Sequence, residues 1–208
     1  MSGYTIDKKI QGAFKKVGKI LGFPFKQYRA DSFMFPFEDR NFIADHSLAF
    51  SQDEGYSKNP ADTLGYYTLY VKYGDVKVND LFHSEELNET FAVLDNVPLR
   101  GPVGVKCTHQ IDIRRPVSTP TQDKKMSLED IALSFPCAVE FTAGASDAGA
   151  MSNVPSRLST GTMNANVWIG IPVGTIKIND VLTISGNTYR VKSVSDQKLV
   201  AEATKAGT

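Results

Sequence analysis

Two hydrophobic periods divide the chain. Ile6, Ile10, Phe14, Val17 and Leu21 form one stripe of a ~3.6-residue repeat, with Lys8, Lys9, Lys15, Lys16 and Lys19 covering much of the rest. The spacing predicts an amphipathic helix over Ile6 to Leu21, N-capped by Thr5, stopped by a left-handed Gly22 and barred from continuing by Pro24. The stretch Phe23 to Phe42, broken by Pro24 and Pro36, holds with Phe50 just beyond it seven of the twelve phenylalanines and reads as an extended segment anchored by aromatic side chains. Beyond the arm the period falls to two. Tyr67, Leu69, Val71 and Tyr73 alternate with Tyr66, Thr68, Tyr70 and Lys72, as a strand with one buried face requires.

The same pattern returns one hundred residues later, where Val167, Ile169, Ile171 and Val173 alternate with Trp168, Gly170 and Pro172. Each strand leads into a matching phrase: Gly74-Asp75-Val76-Lys77-Val78-Asn79-Asp80-Leu81, then Gly174-Thr175-Ile176-Lys177-Ile178-Asn179-Asp180-Val181. The phrase reads as a turn, a short strand around an outward Lys and an Asn-Asp reversal. Each copy then enters a hairpin ending at Thr90-Phe91-Ala92-Val93 or Thr188-Tyr189-Arg190-Val191. The first hairpin carries two extra residues between Phe82 and Glu89, whereas the second has a tight Ser185-Gly186-Asn187 turn. Upstream, apolar strands are expected at Phe42 to Phe50 and Phe135 to Thr142, each followed by a long polar loop, Ser51 to Thr63 and Ala143 to Thr162.

These signals predict a mainly β chain: two tandem small β-barrel or sandwich-like modules from an internal duplication, preceded by one N-terminal amphipathic helix. The expected division is residues 1–40 for helix and aromatic arm, 41–115 for the first module, 116–134 for a linker and 135–208 for the second module. Pro116 and Pro120 mark the linker, and Ser127 with Glu129 and Asp130 suggests a short helix over Leu128 to Leu133. Pro172, which has no N–H for a ladder, places its strand at an edge on that side.

Composition bounds the function. The 208 residues are 41% hydrophobic and 22% charged, a globular balance, and the 23 basic and 23 acidic side chains cancel. Any contact with nucleic acid or an anionic surface is therefore local. Two cysteines, Cys107 and Cys137, are too few for a disulfide framework and read as reduced, packed thiols. The N-terminus lacks the apolar core of a signal peptide and no apolar run approaches a membrane span, so the expectation is synthesis and retention in the cytosolic compartment.

Candidate chemistry is sparse. Cys107-Thr108-His109, with Cys137 and Asp112 elsewhere, is the nearest approach to a metal set, and His46 and His83 stand far apart in sequence. Gly144 to Gly149 lacks the third glycine of a dinucleotide fingerprint. Asp75, Asp80 and Asp95 could form an acidic group, but the recurrence of Asp80 as Asp180 points to turn chemistry. Asn88-Glu89-Thr90 matches a glycosylation triplet that carries no weight without a secretion signal. The expectation is a non-enzymatic protein with no catalytic residues, metal or cofactor. Lys8, Lys15 and Lys19 are the candidate contacts to nucleic-acid phosphates, weighed against a plain solvated helix face.

The phrases Ile176-Lys177-Ile178-Asn179-Asp180-Val181-Leu182, Gly186 and Tyr189-Arg190-Val191 resemble the small β-modules of tailed-phage neck and head-to-tail connector proteins. The opening Ile10-Gln11-Gly12-Ala13-Phe14, Leu21-Gly22 and Tyr28-Arg29 are similar to the start of phage head–tail structural proteins. The resemblance covers about half the chain. It implies a virion structural protein forming a homo-oligomeric ring between portal and tail, with portal, adaptor or tail proteins as neighbours and DNA passing through without sequence-specific binding. Two other readings remain: a small-barrel nucleic-acid-binding module using exposed Tyr66, Tyr70 and Trp168, and a peptidoglycan-degrading virion enzyme.

Overall fold

The computed structural model describes residues 3–30, 34–52, 65–97, 100–118, 126–143, 163–169, 175–195 and 198–203. Within them, helix α1 (Gly3–Leu21) precedes strands β1 (Phe23–Tyr28), β2 (Phe42–Gln52), β3 (Tyr66–Tyr70), β4 (Leu81–Ser84), β5 (Glu89–Val97) and β6 (Gly101–Lys106). Strands β7 (His109–Ser118), β8 (Met126–Ala143), β9 (Met163–Ile169), β10 (Val181–Ile184), β11 (Asn187–Val194) and β12 (Lys198–Ala203) follow. The first six close a barrel in the order β1-β2-β3-β6-β5-β4, and the last six close another in the order β7-β8-β9-β12-β11-β10. The two orders are identical once six is added to each label. The duplication therefore embraces whole barrels, including first and last strands that the sequence phrases do not mark.

The registers match at two irregularities, although β7–β8 has a further shift between Ile111 and Ile113 that β1–β2 lacks. A shift falls between Gln27 and Tyr28 in the first barrel and between Ile113 and Arg114 in the second; another falls between Val93 and Asp95 and again between Val191 and Ser193. The two extra residues of the first copy lie where expected, since β4 and β5 close around Glu85 to Asn88 while β10 and β11 close around Ser185 and Gly186 alone. Both of the latter have positive φ, +49° and +81°, as the tight primed turn requires. In the alternating strand the match moves by two residues: pairing outward from the shared β5/β11 bulge sets Leu69 against Val167. A two-residue slip preserves the face, which is why period alone could not detect it.

Other expectations are corrected. β1 is part of the first barrel, not of an arm, and β7 begins the second barrel at His109. The modules are joined at Cys107 and Thr108; of the predicted linker at 116–134, residues 116–118 are the end of β7, 126–134 are the start of β8, and 119–125 lie outside the described residues. No helix forms over Leu128 to Leu133. Those residues belong to β8, where pairing with β7 and an Arg114–Asp130 ion pair (2.9 Å) override the local capping signal. Helix α1 begins at Gly3, so Thr5 lies inside it, and Gly22 is not left-handed. Gly18 matters for a different reason: a Cβ there would stand 2.5 Å from the carbonyl oxygens of both Ser47 and Tyr70, so only glycine lets α1 lie against β2 and β3. Ser47 Oγ donates to the Gly18 carbonyl at 2.7 Å. Pro172 and nearly all of the two long polar loops lie outside the described residues.

Barrel one is filled by Phe25, Leu48, Leu69, Val71, Val76, Phe82, Phe91 and Val93. Its outer face is unusual. Tyr28, Leu81, Ala92, Val105 and Tyr66 are consecutive cross-strand partners running over β1, β4, β5, β6 and β3, and all five are buried. They share one hydrophobic cluster with the core of barrel two and with Ala138 and Trp168, paired on β8 and β9. The corresponding row on barrel two reads Arg114, Val181, Arg190, Glu202 and Asn164. The row that is apolar in the first copy is polar in the second at every position but Val181.

Candidate functional site

Two equivalent buried carboxylates organise the repeated turn. Asp80 accepts from Arg29 Nε at 2.7 Å and Arg29 NH2 at 2.8 Å, from the Lys77 backbone N–H at 2.7 Å and from Gln27 Nε2 at 2.6 Å. Asp180 accepts from Arg115 Nε at 2.9 Å, Arg115 NH2 at 2.8 Å and the Lys177 N–H at 2.8 Å. Each arginine also donates to the carbonyl five residues before its aspartate, Asp75 or Thr175. Asn79 and Asn179 hold the turn at φ +72° and +75°, and their N–H groups donate to Val93 and Val191. Two-point guanidinium binding satisfies a carboxylate that burial would otherwise make costly. The turn-chemistry reading of Asp80 thus holds for geometry. Arg29 and Arg115 carry no signal in the repeat phrases, because they come from strands distant in sequence.

In barrel one this arrangement extends inward. Gln27 Oε1 lies 2.7 Å from His46 Nε2, so the imidazole, the amide, Asp80 and Arg29 form one connected chain. His46 lines an open pocket of about 290 Å³ with Pro24, Phe25, Lys26, Asp45 and His83. Burial lowers the pKa of both His46 and His83, favouring neutral rings. His83 Nδ1 sits 3.0 Å from Thr90 Oγ1 and its ring stacks on Phe37, while Lys26 is paired with Glu85 at 2.6 Å. The polar groups here hold one another. Barrel two has Phe135 in place of His46 and Ile113 in place of Gln27 by register, so the network is private to barrel one.

Other candidates do not converge. Among the described residues, no group of three His, Cys, Asp or Glu side chains is placed to share a metal ion. Cys107 and Cys137 are free thiols; burial pushes Cys107 up to about 12 and raises Cys137 well above its ordinary value. Neither is a thiolate at neutral pH. Cys137 Sγ points to the His109 carbonyl at 3.6 Å. Asp112 accepts from the Ser134 N–H at 2.8 Å, where β8 bulges. Tyr66 and Trp168, read from the sequence as exposed, are 8% and 5% exposed, and Tyr70 packs on Phe14 of α1 at 5.0 Å. The faces on which Tyr66 and Trp168 lie are covered, so these two rings do not form the aromatic platform expected of them.

Lys8, Lys15 and Lys19 lie on one exposed face of α1, with Lys9 and Lys16 beside them. No described helix is long and apolar enough to cross a membrane. Among the described residues several apolar surfaces remain, a groove of about 540 Å³ lined by Met34, Phe35, Pro36, Phe37 and Leu133 included; two of them are of unlike shape. One is a groove of about 500 Å³ formed by Val17, Leu21, Phe23, Ala49, Phe50 and Tyr70. The other is the end of the β7–β8 ribbon, where β10 pairing stops at Arg114 and Val117 and Leu128 are exposed. Comparison with known protein families, curated proteins and solved structures finds no match.

Proposed function

We propose that the chain is a virion structural protein of a tailed phage, a ring-forming component of the neck that joins the capsid portal to the tail and surrounds the DNA passage. The observation that carries this reading is the unlike pair of apolar surfaces. The groove beside the end of α1 is concave and lies on barrel one; the ribbon end with Val117 and Leu128 is narrow and belongs to barrel two. Unlike patches on one chain favour head-to-tail contact between copies, which closes into a ring when the rotation permits. Closure of both barrels supports the same mode. Most of their edges are used up, and among the described residues the ribbon at Pro116–Ser118, where β7 has a partner on one side alone, offers a place for strand addition. The resemblance of the Lys-x-Asn-Asp hairpins to phage neck modules supports the biological setting.

Size-exclusion chromatography with light scattering, alone and with purified portal or tail protein, tests the proposal. A discrete oligomer or a stable complex is expected, lost when Leu128 and Val117 are both changed to Asp. A chain that stays monomeric and binds neither partner overturns it.

A further inference from the structure

We propose that the exposed face of α1 is a surface for duplex DNA, binding phosphates without reading sequence. The inference takes the passage of DNA from the ring reading and adds the residues that meet it. It starts from a contrast in how cations are used. On the barrels, Lys26, Arg29, Arg40, Lys72, Lys106, Arg114 and Arg115 each stand against a carboxylate, Glu85, Asp80, Glu38, Asp75, Glu89, Asp130 and Asp180, while Lys77 and Lys177 on the repeated turns have no ion pair among the described residues. On α1, Lys9, Lys15, Lys16 and Lys19 have no acidic partner among the described residues. The helix holds five lysines and one aspartate in a chain of zero net charge, so the remainder of the molecule is acidic by the same margin.

The arrangement is as informative as the charge. At ~100° per residue the lysines occupy an arc of roughly 120°, centred opposite the packed stripe of Ile10, Phe14 and Val17. Between Lys8 and Lys19 the axis rises about 16 Å at ~1.5 Å per residue, a span that meets several phosphates of one strand. Gly18, pressed on Ser47 and Tyr70, and the Ser47 hydroxyl fix the rod to barrel one, so the cations are presented on a rigid face. Among the described residues of that arc, Gly12 alone stands between the lysines, and it can neither stack on a base nor pair with a base edge. This chemistry recognises a regular polyanion and favours the duplex over unpaired bases.

The test is fluorescence anisotropy of the full chain with two short duplexes of unrelated sequence across a salt series. Equal affinity for both is expected. With three to five phosphate contacts, a fourfold rise in salt should weaken binding about 40- to 500-fold. Lys15→Glu, Lys16→Glu and Lys19→Glu together should lower affinity at least about thirtyfold and flatten the salt slope, with unchanged thermal melting. Lys77→Glu with Lys177→Glu, exposed on the turns, should leave binding as it was. Binding unaffected by the helix reversal, a clear sequence preference, or tighter binding to polyglutamate or anionic lipid vesicles overturns the assignment. Light scattering on the same samples separates the two readings: a ring that forms but ignores DNA defeats this inference alone.

Discussion

Arg115 grips Asp180 at two points, and Arg29 does the same to Asp80, yet the two pairs are not equally supported. Asp80 keeps Gln27 Nε2 at 2.6 Å and the Lys77 N–H at 2.7 Å if its arginine is removed, whereas Asp180 keeps the Lys177 N–H alone among its described contacts. Arg115→Met should therefore destabilise the protein by about 3 kcal/mol and Arg29→Met by distinctly less. Urea unfolding of the two variants measures the difference; equal costs would mean that the amide of Gln27 contributes nothing.

Two helix glycines should respond oppositely to the same change. Gly18→Ala forces a methyl against two backbone oxygens and should cost about 2 kcal/mol while loosening α1, visible as faster amide exchange along the helix. Gly12 has nothing within 4 Å of an added Cβ, so Gly12→Ala should raise stability by about 0.5–1 kcal/mol. Thermal melts of the pair separate packing from propensity.

The histidines set an acid limit. Burial lowers the pKa of His46 and His83 in the fold, so the unfolded chain takes up protons first as pH drops. Their contribution is intact above the ordinary histidine range near ~6.5 and declines as pH falls through it toward the lowered folded values. Denaturation midpoints measured from pH 8 to pH 5 should fall in the wild type and fall less in His46→Phe, which copies Phe135 of barrel two.

Trp168 is the single tryptophan and is buried on the outer side of barrel two, in the cluster that also holds Leu94 of barrel one. Leu94 corresponds by register to Lys192, an exposed residue. Leu94→Lys should cost about 2–4 kcal/mol, shift the Trp168 emission to the red and expose the Cys107-Thr108 junction to protease.

The helix, the tandem organisation and the hairpin difference were legible in the sequence because each is a local pattern: a ~3.6 period on Ile10, Phe14 and Val17, a repeated Lys-x-Asn-Asp phrase, a Ser-Gly turn. What failed depended on partners far along the chain. Ser127 and Glu129 resemble a helix start until β7 lies beside them, and Pro116 resembles a linker until it is paired with Leu128 at an open edge. Tyr66 and Trp168 fall on the polar side of an alternating strand, so period two assigns them to solvent; both faces are covered, and alternation carries no sign of the second cover. The His46–Gln27–Asp80–Arg29 chain draws on β2, the end of β1 and the residue after it, and the turn before β4, and none of its members is adjacent to another in sequence.

The row from Tyr28 to Tyr66 and its polar counterpart from Arg114 to Asn164 give the duplication a direction. Exchanging the order of the two barrels would set Arg190 where a greasy neighbour belongs and leave Leu81, Ala92 and Val105 facing water. The outer rows have diverged so far that the two modules, alike in strand order, are no longer interchangeable: each fits one side of the contact and not the other.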